Sequence, residues 1–170
     1  MHTKKQVHKD FTTSSQNLLE TLIEFPEAHF NEQPEAVKWS AGQIAEHLIK
    51  SEADVAKYFG KDAESTDRDP KQKIALMKEK MLNAQQCFSA PSLVAPDGAN
   101  GNRQQLIDTL QDIRQRLAGM IEIEDLTKTL SASDHPGFGS LRRIEWLYFN
   151  IYHAERHVGQ IWDLAAHFKH

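Results

Sequence analysis

The sequence predicts an all-α protein, a four-helix bundle with one extra short helix and long connections. Apolar residues recur at helical spacing along most of the chain, and no segment shows the convincing alternation of a strand. Prolines and glycines concentrate between these periodic segments, where they end helices. A length of 170 residues, 39% of them hydrophobic, fits a single domain, which we assign to residues 1–170.

The first two helices have well-marked ends in the sequence. Apolar periodicity predicts a first helix over about residues 4–25, which Pro26 stops. Ser40 followed by Gln43 forms the pattern of a capping box, so we expect the second helix to begin there. Gly60 is a suitable C-terminal stop for it.

The middle of the chain is less regular. Residues 61–69 are polar and are expected to form a loop. Pro70 can open a third, weaker helix over residues 70–86, because proline is favoured in the first helical turn. Residues 88–102 hold two prolines and two glycines, so an irregular connection is predicted.

Two more helices complete the predicted bundle. One spans about Arg103–Met120, with five leucines and isoleucines on one side. After the break at residues 131–140, Ser140 is a candidate cap for the final helix. At about thirty residues, this helix would be the longest element of the chain.

Composition and charge argue against several classes of protein. The 20 basic and 24 acidic residues give a net charge of −4, which disfavours an extended nucleic-acid surface. No apolar run approaches the length of a membrane-spanning helix, and no signal peptide is evident, so we expect a cytoplasmic protein. Cys87 is the only cysteine, which excludes an internal disulfide and a cysteine-based metal site.

Nine histidines are many for this length, and two of them stand four residues apart in the final helix. His153 and His157 are separated by about 40° around the helix and about 6 Å along it, so both rings can face one ion. The same spacing occurs in the zinc-binding helix of metalloproteases. With nine histidines such a pair also arises readily by chance, so the pair alone is weak evidence.

A third histidine strengthens the case for a metal site. His47 lies in the second helix among Ile44, Leu48 and Ile49, on its apolar side. The alternative for each ring is an ordinary buried histidine held by a hydrogen bond. If the two helices face each other, their rings form a His₃ set that leaves a coordination position open. Zinc, nickel and iron all accept imidazole, so the donor set does not choose the metal.

Other side chains are candidates for the surroundings of this site. Gln43 and Gln160 lie one turn from a predicted ligand and could orient its ring, the alternative being a solvated side chain. Glu46 and Glu155 adjoin ligands in sequence but are turned about 100° away. The remaining candidates for lining or covering a pocket are Trp39, Trp146, Tyr148, Asn150 and, in a glycine-containing turn, His135, with core packing or an ordinary surface turn as alternatives.

Two long segments resemble a known family. They read VKWSAGQIAEHLIKSE, at residues 37–52, and HPGFGSLRRIEWLYFNIYHAERHVGQI, at residues 135–161. The Trp-Ser entry, the histidine seven residues after that serine, the HPGFG turn, the EWL opening and the final HxxxH occur in an order similar to that of the DinB-like proteins. The resemblance extends over about residues 5–168.

This resemblance implies an up-down-down-up helical bundle in which His47, His153 and His157 hold a divalent metal, commonly nickel or zinc. Relatives of this kind include enzymes that use low-molecular-weight thiols such as bacillithiol or mycothiol, and homodimers are common among them. The leading hypothesis is therefore a metal-dependent enzyme, a thiol transferase or a hydrolase, acting on a small molecule. A non-catalytic stress-response binding module is the alternative. A DNA-binding role is disfavoured, because LRRIEW offers only Arg142 and Arg143.

Overall fold

The computed structural model describes residues 3–35, 38–83, 91–98 and 101–168. Within these ranges the chain forms five α-helices, a three-stranded antiparallel sheet and two single-turn 3₁₀ helices, at Glu27–His29 and Ser92–Val94. The helices are α1 (Lys4–Glu24), α2 (Ala41–Phe59), α3 (Ile74–Leu82), α4 (Arg103–Ile123) and α5 (Arg143–His167). The strands are β1 (Ala63–Glu64), β2 (Thr129–His135) and β3 (Gly139–Arg142).

The long helices α1, α2, α4 and α5 pack into a bundle, and α3 lies against α5. This confirms the predicted all-α class with four main helices and one short one. The predicted ends of the first two helices are also confirmed. α1 ends at Glu24, with Phe25 as its C-cap and Pro26 directly after it. At the start of α2, the Ser40 hydroxyl accepts from the Gln43 amide while the Gln43 side chain accepts from the Ser40 amide.

α3 begins later than its sequence suggested. Residues 70–73 form turns, and the helix starts at Ile74 instead of Pro70. The amide of Lys73 donates to the buried carboxylate of Glu145, so this backbone is tied to α5 and does not extend the helix. The helix also ends earlier than predicted, at Leu82, because Asn83 has an extended backbone. Residues 84–86 of the predicted helix, and Cys87, lie outside the described residues.

The small sheet corrects the expectation that the chain contains no strand. β2 and β3 form a hairpin in which Asp134 pairs with Ser140 and His135 with Gly139, and β1 pairs with the start of β2. The sequence of β2, TLSASDH, is short and polar, and the pairing of β2 with β3 shifts register between Thr129 and Asp134. No alternation of apolar and polar residues therefore marks these strands.

The start of α5 also differs from the prediction. Ser140 is part of β3 and does not cap the helix, which begins at Arg143 and has 25 residues. The side chain of Glu145 instead accepts from the amide of Arg142, at 2.9 Å, and so satisfies one of the free N–H groups at this helix end.

A polar layer crosses the middle of the bundle between two apolar clusters. On each long helix the apolar core residues fall into one cluster toward one end and a second cluster toward the other. Near the junction of the clusters, polar residues meet around the buried side chain of Arg114, Asn150 through its backbone carbonyl. We call these residues the central polar layer: Ser14, Ser15, Glu52, Arg114 and Asn150. His47, His153 and His157 are buried beside this layer. None of the helices in the described ranges is both long and apolar enough to cross a membrane.

Candidate metal centre

The three histidines singled out from the sequence come together between two helices. His47 extends from α2, and His153 and His157 extend from successive turns of α5. All three side chains are buried, with at most 7% of any residue exposed. The packing of α2 against α5 thus produces the three-imidazole set that the helical spacing suggested.

The Nε2 atoms of these rings point at one small region. The Nε2 of His153 lies 3.0 Å from that of His47 and 3.0 Å from that of His157. Two nitrogens bound to one ion at about 2.0–2.1 Å are about 2.8–3.4 Å apart when the angle between them is 90–110°. The observed separations are therefore those of ligands that share an ion.

The rings of His47 and His157 are each held by a hydrogen bond from the second ring nitrogen, Nδ1, to an oxygen acceptor. The Nδ1 of His47 donates to the carbonyl oxygen of Val94, at 2.8 Å, and the Nδ1 of His157 donates to Oε1 of Gln160, at 2.7 Å. Because Nδ1 carries the proton in each case, a neutral ring presents a bare lone pair at Nε2. Both lone pairs are thereby directed at the shared region, as metal ligation requires.

The hydrogen bonds that orient His47 and His157 confirm one prediction and correct another. Gln160 orients His157 as expected. Gln43 does not orient His47, because its side chain is used in the α2 capping box. Val94, which does orient His47, was missed. It lies 47 residues further along the chain in a single-turn helix, and its carbonyl carries no side-chain signal.

Burial keeps the three imidazoles neutral. Desolvation is the largest cause of the lowered pKa of each ring, and it brings the pKa of His157 to about 3. The neighbouring imidazoles lower the pKa of His153 further, since a second positive charge in the same small region is unfavourable. Neutral imidazole is the ligand form, so the set is ready to bind a metal at neutral pH.

The donor set fits a cation better than it fits mutual hydrogen bonding. With Nδ1 protonated on His47 and His157, at most one hydrogen, on the Nε2 of His153, is available between the three facing nitrogens. One hydrogen cannot satisfy two lone pairs with good geometry, and the lone pairs repel each other. A bound cation would relieve this repulsion.

Aromatic rings surround the three imidazoles. The ring of Trp39 lies 5.0 Å from that of His47 and stacks at 6.5 Å on His157. On the α5 side the ring of Phe149 stacks at 5.1 Å on His153. Trp39 therefore lines the site, as one reading of the sequence proposed, and Phe149 is a neighbour that the sequence did not suggest.

The turn between β2 and β3 places a fourth histidine, His135, against the aromatic ring of Phe149 that stacks on His153. The ring of His135 lies 4.3 Å from that of Phe149 and 5.6 Å from that of Trp146. Its Nδ1 accepts from the amide of Gly137, so its single proton in the neutral form is on Nε2. Burial lowers its pKa to about 4. This placement favours a covering role over that of an ordinary surface histidine.

The other predicted neighbours are directed elsewhere. The hydroxyl of Tyr148 donates to Asp10 on α1. Glu46 pairs with Lys50, and Glu155 is exposed, as their offset around the helices suggested. Asn150 is fully buried in the central polar layer and does not line a pocket mouth. Two surface depressions, along the start of α1 and beside α3, are not lined by any of the three ligand candidates.

Comparison with known families identifies the group to which the chain belongs. The sequence profile of the DinB superfamily matches residues 10–161, which include all of α2, α3 and α4 and most of α1 and α5. The chain belongs to the DinB superfamily. The family resemblance drawn from the two quoted segments is thus confirmed. Comparisons of this DinB protein with curated proteins and with solved structures found no match.

Proposed function

We propose that this DinB protein binds one divalent metal ion, nickel or zinc, through His47, His153 and His157, and that it is a metal-dependent enzyme acting on a small molecule. The observation that carries the proposal is the convergence of three imidazoles, in which the Nε2 of His153 lies 3.0 Å from the Nε2 of His47 and 3.0 Å from that of His157. Two of the rings also have their Nδ1 atoms held by oxygen acceptors.

The composition of the donor set supports a catalytic role. Among the described residues, the cluster of possible ligands comprises three histidines and no fourth histidine, cysteine, aspartate or glutamate. Three protein ligands leave a position for an exogenous ligand, as in catalytic zinc sites. A metal bound in this way lowers the pKa of coordinated water or of a coordinated thiol.

The protein supplies orientation and a dry environment for this chemistry. Val94 and Gln160 keep two imidazoles in the ligand tautomer, and Trp39 and Phe149 shield the rings from bulk water. We propose that the nucleophile is a low-molecular-weight thiol, in a transferase reaction, or water, in a hydrolase reaction.

One observation favours a second candidate function. The three imidazoles are no more than 7% exposed, and such burial also suits a metal that only stabilises the bundle. In that case the protein would be a non-catalytic binding module, with a structural or vestigial metal.

Enzyme assays on metal-loaded protein separate these two functions. Protein reconstituted with nickel or zinc is given thiols with a chromogenic electrophile, and separately a 4-nitrophenyl ester. We expect turnover by the native chain and by the control His167→Ala, whose histidine is exposed, and none by His153→Ala. Stoichiometric metal without turnover in either assay would favour the binding module.

We also propose that the protein acts in the cytoplasm as a homodimer and does not bind nucleic acid. The side chains of Arg142 and Arg143 support the last point, because both are buried and donate to backbone carbonyl oxygens, among them those of Thr66 and Phe59. Light scattering tests the dimer, which a monomeric mass would contradict. A gel-shift titration at low salt tests nucleic-acid binding, which a salt-sensitive shift would reveal.

A further inference from the structure

The imidazole of His153 lacks the Nδ1 hydrogen bond that orients each of the other two rings of the site. The Nδ1 atom of His153 is buried and has no hydrogen-bond partner among the described residues. The corresponding atoms of His47 and His157 each have an oxygen acceptor. A ligating histidine ordinarily donates this second N–H to a carboxylate, a carbonyl or a water, which fixes its tautomer and orientation. His153 therefore requires an acceptor that is still to be accounted for.

A second unsatisfied polar group lies one turn earlier on α5. Asn150 is completely buried, and neither its Oδ1 nor its Nδ2 has a partner within the described ranges. Leaving such groups unpaired in a protein interior is unfavourable, so most buried polar groups of native proteins have a hydrogen-bond partner. The amide of Asn150 offers the acceptor that the Nδ1–H of His153 needs.

The helix places these two groups side by side. Residues three apart on a helix have Cβ atoms about 5–6 Å apart on the same face. Helical side chains also lean toward the N-terminus, which lays the ring of His153 over the turn that contains Asn150. The stacking of His153 on Phe149, the residue just before Asn150, shows that the ring does lie over this turn.

The carboxylate of the central polar layer is already paired, so the amide of Asn150 is the available acceptor for the Nδ1–H of His153. Glu52 is a buried carboxylate of the same layer, but its two oxygens accept from Nε and Nη2 of Arg114. Arg114 also donates to the carbonyl oxygen of Asn150, which ties the backbone of this turn to the buried ion pair. Arg114 therefore holds the backbone of Asn150, while the side-chain amide of Asn150 has no partner within the described residues.

We propose that Asn150 is the positioning residue of His153, with its Oδ1 accepting the Nδ1–H of that imidazole, directly or through one buried water, while Nε2 faces the metal. This inference rests on the metal binding proposed above. It extends the site to a residue that does not touch the ion, and it gives the central polar layer a role beyond holding the helices together.

Metal affinity of conservative variants tests the inference. Asn150→Leu keeps the volume and removes the acceptor, and Asn150→Asp keeps an acceptor. Gln160→Leu is the matched control, because it removes the acceptor of His157. Nickel and zinc affinities are measured by competition with a chelator, and folding by circular dichroism. We expect Asn150→Leu and Gln160→Leu each to weaken binding about 10–100-fold and Asn150→Asp to retain it.

The Nδ1–H signal of His153 in the NMR spectrum of the zinc-loaded protein gives a second readout. We expect slow exchange of this proton with water in the native protein and in Asn150→Asp, and faster exchange in a folded, zinc-loaded Asn150→Leu. Native affinity in Asn150→Leu, with only its unfolding midpoint changed, would overturn the inference while leaving the proposed metal site intact. A native protein that binds neither nickel nor zinc would overturn both, and would therefore be distinguished from the first result.

Discussion

The guanidinium of Arg114 and the carboxylate of Glu52 form a two-point ion pair in the interior of the bundle. Arg114 is 1% exposed and Glu52 is fully buried, and the Nε of Arg114 donates to Oε2 of Glu52 at 2.9 Å. Arg114 also donates to Ser14 and Ser15 on α1 and to the carbonyl oxygen of Asn150 on α5. One side chain therefore contacts the other three long helices.

Breaking this pair on one side should destabilise the protein strongly. Glu52→Ala leaves an uncompensated guanidinium in the interior, and we expect a loss of about 3–5 kcal/mol in the free energy of unfolding. The double variant Glu52→Leu, Arg114→Met removes both charges and should recover much of that loss. Urea unfolding measures both, with Arg116→Met, an exposed site on the same helix, as the control. A loss below about 1 kcal/mol, the value of a surface pair, would contradict the prediction.

Glu145 is a second buried carboxylate, and it joins the start of α5 to the segment between β1 and α3. It accepts from both Nη atoms of Arg68 at 2.6 and 2.7 Å, and from the amides of Lys73 and Arg142. Glu145→Gln removes the charge and replaces one acceptor by a donor. We expect the free energy of unfolding to fall by about 2–4 kcal/mol, because hydrogen bonds to charged groups contribute about 1.5–3 kcal/mol each. Glu155→Gln, at an exposed position of α5, should change it little. Equal stabilities of the two variants in urea would refute this assignment.

The stability of the metal-free protein should depend on His135 at mildly acidic pH. Burial lowers the pKa of His135 to about 4, whereas the unfolded chain titrates near the ordinary value of 6.5. The unfolded state therefore binds more protons between these values, and stability falls as pH decreases from about 6.5 to about 4. His135→Phe suits the aromatic surroundings and removes this dependence. Across that window we expect the variant to lose of the order of 2 kcal/mol less than the native chain, allowing for partial exposure.

The measurement is urea unfolding of both proteins at several pH values after treatment with a chelator. His167→Phe is the control, because it makes the same substitution at an exposed histidine of α5. Parallel pH curves for the native chain and His135→Phe would show that the folded state does not hold His135 neutral.

Apart from the starts of α3 and α5, the sequence was sufficient for the helices and for the three candidate ligands, because both follow from helical periodicity. The four-residue spacing puts His153 and His157 on one face, and the apolar neighbours of His47 indicate that it is buried. The sequence left open whether these two helices face each other, and the packing of α2 on α5 in the structure brings the rings together.

Features that depend on distant segments were not predictable in the same way. Val94 acts through a backbone carbonyl that any residue would supply. β2 and β3 are held by backbone pairing and by the buried side chain of Arg142, which donates to Thr66, so their own residues show no strand pattern. Glu52 and Arg114 resemble solvent-facing helix residues, and only their mutual pairing makes their burial possible.

Metal content of the isolated chain and of His47→Ala is the most direct test of the site. Each protein is equilibrated with nickel or zinc, desalted and analysed for metal, with His167→Ala as the matched control and circular dichroism to verify the fold. We predict one ion per chain in the native protein and in His167→Ala, and almost none in a folded His47→Ala. The same metal content in His47→Ala as in the native protein, or none in either, would contradict a site built from His47, His153 and His157.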